Sequence, residues 1–179
     1  LIHPLFPPEA LKTSVEYTKS KGILLYEMFL HQHGEILKTI EGIDIIITSP
    51  LLYAAPYEKK YYIRPDEKFM AIANAHGLKV KFFGDILKKY SGQVTEGLYR
   101  SGDLTAVYMN GGGTTGKSKG VMVSYSNQVN IALAGIETTN IKSDNVWLIP
   151  TPMNHAAGLR KVHIAMAVGS TSVLLEGFR

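Results

Sequence analysis

Cysteine is absent from this sequence of 179 residues, which excludes a disulfide framework, a thiolate metal site and a cysteine nucleophile. Nothing calls for an oxidising compartment, so a cytoplasmic protein is the default expectation. No apolar run reaches the ~18 to 20 residues of a membrane-spanning helix. The first residues, Leu1 through Pro8, carry neither a basic n-region nor a small-residue cleavage site. An excess of one charge is missing too. Lysine and arginine total 19 against 15 aspartates and glutamates, a formal net charge of +4, and the basic residues are dispersed, which argues against a nucleic-acid surface. Repeats and low-complexity linkers are lacking. What is present, 45% hydrophobic and 19% charged residues, suits one compact core at this length. The chain starts without methionine and stops just past the apolar run 172–175, and we expect it to be a piece of a longer polypeptide.

Apolar periodicity predicts alternating helices and strands. Pro8 and the spacing of Leu11, Val15 and Thr18 predict a helix over 9–19 that Gly22 ends. Apolar runs at 23–26, 43–48 and 78–83 read as buried strands, with helices before Gly42 (Ile36, Leu37, Ile40), over 66–76 and over 85–90. The tyrosine-rich stretch from Tyr53 and Ala54 to Tyr62 reads as a turn or excursion of no clear period, and its tyrosines read as packing. Further strands are expected at 104–109, 121–123, 146–149 and 172–175. Helices are expected from a Ser126 cap to about Gly135 or Thr139, and over 158–168. Strands that are apolar throughout and alternate with helices predict an α/β fold, a three-layer sandwich with a mostly parallel sheet flanked by helices, as a single domain over 1–179.

The most informative segment is Gly111-Gly112-Gly113-Thr114-Thr115-Gly116-Lys117-Ser118-Lys119-Gly120. Glycines let backbone N–H groups turn toward an anion, threonine hydroxyls add donors and lysines add charge, so the segment reads as a phosphate cradle. Its first eight residues also satisfy the Walker A pattern G-x-x-x-x-G-K-S/T. A Walker loop opens directly into a helix. Here Lys119-Gly120-Val121-Met122-Val123 favours a strand, and the strand at 146–149 leads into Pro150 rather than a magnesium-holding aspartate. A P-loop NTPase is therefore the alternative. It requires a helix from Lys117 or Ser118.

Gly113 to Val121 resembles the signature of the adenylate-forming (AMP-binding) ligases, which include acyl-CoA synthetases, peptide-synthetase adenylation domains and luciferases; it is usually written S/T-S/T-G-T-T-G-x-P-K-G. Three further segments are similar in the same order. Met122-Val123-Ser124-Tyr125-Ser126-Asn127 resembles M-x-T-H-x-N, Pro152-Met153-Asn154-His155-Ala156-Ala157-Gly158 resembles P-x-x-H-x-x-G, and 169–178 resembles G-A-x-V-V-L-x-x-x-F. The opening Pro4-Leu5-Phe6-Pro7-Pro8-Glu9-Ala10-Leu11 is similar to N-P-x-x-P-x-E-L. Residues 53–102 match no motif. Departures are Gly111 and Gly112 at hydroxyl positions, the latter familiar from long-chain fatty acid-CoA ligases, and Ser118 in place of proline, which leaves the loop freer.

The resemblance implies an enzyme that activates a small-molecule carboxylate with ATP and magnesium (Mg2+), releases pyrophosphate, and passes the acyl group of the adenylate to coenzyme A. A fatty acid is the expected carboxylate. It implies that Gly112, Gly113, Thr114, Thr115 and Gly116 wrap the phosphates, with Lys117 and Lys119 beside them, and that Lys119 and His155 take part in catalysis, His155 at the acyl pocket. It also implies that the chain is a fragment of a large N-terminal domain, without the later magnesium-binding, ribose-binding and catalytic-lysine segments, and is inactive by itself. An amino-acid adenylation domain or a non-catalytic binding module of the same fold are the other readings. No metal site is expected from His31-Gln32-His33, which lacks a third ligand. Arg100-Ser101-Gly102-Asp103-Leu104 resembles the family's ribose-binding R-T-G-D-L but precedes the loop, so Asp103 reads as a lead-in to a strand.

Overall fold

A computed structural model of the chain describes residues 2–3, 5–49, 67–94, 101–111 and 119–175. The expected excursion at 53–62 and Asp66 lie outside the described residues. The chain divides into two compact units, Pro4–Glu96 on the one hand and Leu1–His3 with Gly97–Arg179 on the other.

In the unit Pro4–Glu96, helix α1 spans Pro8–Thr18 with proline in its first turn, where the missing N–H would have had no partner in any case. It ends at Lys19, in the left-handed region at φ 50°, with the Ser20 N–H bonded back to the Val15 carbonyl. Gly22 therefore does not end the helix, as expected, but opens strand β1, Gly22–Tyr26. A 3₁₀ turn, Glu27–Phe29, leads into α2, Leu30–Leu37, which begins earlier than the apolar spacing of 36–40 predicts. Leu30 and Leu37 are fully buried at its two ends, each contributing about 1.5–3 kcal/mol of apolar burial. Gly34 sits between them because a β-carbon there would lie 2.7 Å from His76 Nε2.

Strand β2, Asp44–Thr48, is the centre of a three-stranded parallel sheet in the order β1-β2-β3. Its Ile45 and Ile47 are buried between Ile23 and Leu25 of β1 and Val80 and Phe82 of strand β3, Val80–Phe82. Helix α3, Glu67–Ala75, closes through Gly77 at φ +66°. Leu78 belongs to that closure, its N–H bonded to the Ala73 carbonyl, and Phe83 already starts helix α4, Phe83–Tyr90. The strand predicted over 78–83 is shortened from both sides for these reasons.

In the other unit, strand β4, Thr105–Gly111, pairs antiparallel with β5, Lys119–Ser124, and helix α5, Tyr125–Thr139, comes directly after it. Strand β6, Val146–Ile149, helix α6, Ala156–Val168, and strand β7, Thr171–Leu174, form a β-α-β unit with β6 and β7 parallel. Helices α5 and α6 meet where Gly135 leaves room for the buried Ile164 side chain. Parallel pairing in both units, with helices packed between and over the strands, is the α/β class the sequence predicts; the β4–β5 hairpin is its antiparallel element.

Candidate phosphate and carboxylate site

Of the expected site residues, Gly112, Gly113, Thr114, Thr115, Gly116 and Lys117 lie outside the described residues, whereas Lys119 and His155 are described. The chain leaves β4 at Gly111 and enters β5 at Lys119, and these two residues are cross-strand partners at the end of the ladder. Lys119 is exposed there. It shares a unit with His155, and no hydrogen bond or ion pair joins the two.

The element immediately after the glycine-rich segment discriminates between the two cradle readings. Lys119–Ser124 is a strand, where a Walker loop needs a helix. Helix α5 starts only at Tyr125, and its first N–H groups are already used. Tyr125 N–H donates to the Leu104 carbonyl at 3.0 Å, Ser126 N–H to the Gly102 carbonyl at 2.9 Å, and Asn127 N–H to Ser124 Oγ at 3.2 Å. A helix end whose first donors are satisfied in this way has none of them to offer a phosphate. The P-loop alternative is overturned on both counts.

These contacts revise one sequence reading and bear out another. The cap of α5 is Ser124 rather than Ser126, and Asn127 Oδ1 returns the bond by accepting the Ser124 N–H at 3.2 Å, a capping box. The segment Ser101 to Leu104 is a turn, closed by Leu104 N–H on the Ser101 carbonyl at 3.1 Å, that braces α5 through two carbonyls. Gly102 lies close against Ser126, whose Oγ would have to turn away from any side chain placed there. Asp103 is exposed and leads into β4, as expected.

His155 lies in the connection that leaves the carboxyl end of β6, the edge at which open parallel sheets bind ligands. It is exposed and is the N-cap of α6, at φ −94° and ψ 140°. Its backbone N–H donates to the Pro152 carbonyl at 3.0 Å, and its own carbonyl accepts from Gly158 and Leu159 at 3.0 and 3.1 Å. A β-carbon on Gly158 would lie 2.7 Å from the Pro152 carbonyl carbon. The spacing of Pro152, His155 and Gly158 thus has a local cause: one turn, closed by two hydrogen bonds and by a glycine that lets backbone approach backbone.

Sequence reasoning missed a groove of about 570 Å³ between β4, α5 and α6, walled by Val107, Val129, Leu133, Leu159 and Met166, with His163, Gln128 and Tyr125 as its polar side chains. His163 Nδ1 is buried and has no hydrogen-bond partner. The periodic spacing of Val129, Ala132 and Leu133 and of Leu159, His163 and Met166 was the available signal, but such stripes ordinarily mark packed faces. His31 and His33 do not cooperate: His31 is exposed and His33 buried in α2. Among the described residues no cluster of three histidine, aspartate or glutamate side chains could hold a metal ion, and no helix is long and apolar enough to cross a membrane.

The family model described as AMP-binding enzyme matches residues 1–179. The 2-succinylbenzoate–CoA ligase of Bacillus subtilis is 27% identical over 117 residues, covering 65% of this chain and 24% of that protein. The medium-chain fatty-acid–CoA ligase of Escherichia coli is 33% identical over 86 residues, 48% of this chain and 15% of that protein. The chain therefore spans only a minor part of the curated relatives it matches. The fold is similar to that of a natural red-emitting luciferase from Phrixothrix hirtus, with a TM-score of 0.67 at 16% identity over 98% of this chain and 31% of the luciferase.

Proposed function

The chain belongs to the AMP-binding enzyme family, and on that premise we propose that it supplies the phosphate- and carboxylate-handling part of an ATP-dependent acyl-CoA ligase. The observation that carries this reading is the ladder pairing Gly111 with Lys119. It makes the glycine- and threonine-rich segment begin and end at one edge of a hairpin and run on into a strand. In the proposed reaction a carboxylate oxygen attacks the α-phosphorus of ATP, the bond to the β-phosphate oxygen breaks, and pyrophosphate leaves an acyl-adenylate. The thiol of coenzyme A then attacks the acyl carbon and AMP departs. Gly112, Gly113, Thr114, Thr115 and Gly116 are assigned to the β- and γ-phosphates as donors, Lys117 and Lys119 to charge on the departing pyrophosphate, and His155 to the carboxylate or adenylate. Preorganised donors of this kind act by electrostatic stabilisation and positioning.

The magnesium site is proposed to lie mostly outside these 179 residues, as the family resemblance implies. The carboxylate is proposed to be hydrophobic. Medium-chain fatty acids and 2-succinylbenzoate, the acids in the names of the relatives, are the first to test. A cytoplasmic setting is part of the same proposal, as is the inactivity of these 179 residues alone, since the relatives extend well beyond the matched segments. The experiment is hydroxylamine trapping of acyl-adenylate by the full-length polypeptide against a panel of carboxylates. Hydroxamate formation with an aliphatic or aryl acid supports the reading, and formation only with amino acids would replace it by amino-acid activation.

A further inference from the structure

We infer that the first turn of α6 locks the tautomer of His155, making its Nε2 a fixed hydrogen-bond donor rather than a base. The identity of the group it meets, a carboxylate or phosphoryl oxygen, rests on the proposed function; the lock does not. The Ala157 N–H reaches His155 Nδ1 at 3.2 Å. A backbone N–H can only donate, so Nδ1 must present its lone pair, and in the neutral ring the proton then resides on Nε2.

The arrangement is held from every side. The His155 N–H is tied to the Pro152 carbonyl, the His155 carbonyl is tied to Gly158 and Leu159, and the side chain is tied to Ala157. The ring is exposed, so Nε2–H is open to a ligand. A ring held in this way can donate to an oxyanion at the carboxyl end of β6. It cannot accept a proton at Nε2, which excludes His155 from deprotonating an attacking thiol while the cap bond stands. In chemical terms the site takes an acceptor oxygen, and α6 itself positions the proton that meets it. Asparagine could reproduce both halves of the device, an oxygen for the Ala157 N–H and an amide donor, whereas aspartate could cap the helix but donate nothing.

The test is nitrogen NMR of the full-length polypeptide labelled at histidine and alanine, at a pH where the ring is neutral. The expected result is a pyridine-type Nδ1, a pyrrole-type Nε2 and a scalar coupling between the Ala157 amide nitrogen and His155 Nδ1 across the hydrogen bond. A proton on Nδ1, or the averaged tautomer signal of a free histidine without that coupling, overturns the lock. No ligand is added, so failure of the acyl-CoA ligase reading leaves this measurement unaffected. In the full-length polypeptide the complementary expectation is that His155→Asn keeps most of the acyl-adenylate formation while His155→Asp loses on the order of 10-fold or more. Equal loss in both would overturn the donor role.

Discussion

A β-carbon added to Gly158 would lie 2.6 Å from the carbonyl oxygen of Thr151, and closer still to that of Pro152. Both obstructing groups are backbone, and the Pro152 oxygen already accepts the His155 N–H, so neither can yield cheaply. Gly158→Ala is expected to destabilise the chain by roughly 2–3 kcal/mol, the upper part of the overpacking range. It should also displace His155. Urea denaturation measures the first effect, and loss of the His155–Ala157 coupling the second.

Gly135→Ala offers a contrast of the same size. Here the obstruction is the Ile164 side chain, with Cγ1 2.8 Å from the added carbon, and alanine improves helix propensity by up to about 1 kcal/mol. The single variant is expected to cost less than Gly158→Ala. Adding Ile164→Val should recover part of the loss, a coupling of about 0.5 kcal/mol or more in a double-mutant cycle; strict additivity would contradict the packing described.

Ser124→Ala should cost about 1 kcal/mol by removing the α5 cap, whereas Ser126→Ala should stay within about 0.5 kcal/mol. Denaturation midpoints of the two variants separate the observed cap from the one expected of the sequence.

The carboxyl of Glu35 is held below the usual carboxylate range, first by its hydrogen bond to Lys38, then by the charges of Lys38 and His76; the His76 Nδ1 to Oε1 distance is 2.7 Å. A lowered folded value means that this contribution is present above the unfolded carboxylate value and is lost as pH falls through the lower folded value. Glu35→Gln should flatten that acidic limb in thermal melts. The effect is expected to shrink in high salt, because Glu35 is exposed.

Strand β6 was legible to the residue, because Val146–Ile149 is an apolar run between Asn145 and Pro150. The end of α5 was legible as one of two positions, Gly135 or Thr139, of which the helix takes the second. Its start was not, since two serines compete and Asn127 at the third position departs from the usual Glu or Gln of a capping box. Helix α2 was read too late because His31, Gln32, His33 and Gly34 carry no apolar period; the packing of Leu30 and Leu37 and the approach of His76 hold it. At the candidate site, the family resemblance put forward His155 and Lys119, but the occupied donors of α5 depend on carbonyls of Gly102 and Leu104, on the far side of the whole β4–β5 hairpin. No local pattern carries that information.

Lys119→Ala is expected to lower acyl-adenylate formation by the full-length polypeptide on the order of 10- to 100-fold. Stability should be unchanged within about 0.5 kcal/mol, since Lys119 is exposed. Unaltered turnover would remove this lysine from the phosphate site.

The most direct measurement is the identity of the nucleotide products when the full-length polypeptide consumes ATP with and without a hydrophobic carboxylate. The proposed ligase function predicts carboxylate-dependent AMP and pyrophosphate, and the strand after the glycine-rich segment already speaks against a P-loop helix. ADP and inorganic phosphate, formed without any carboxylate, would contradict the account.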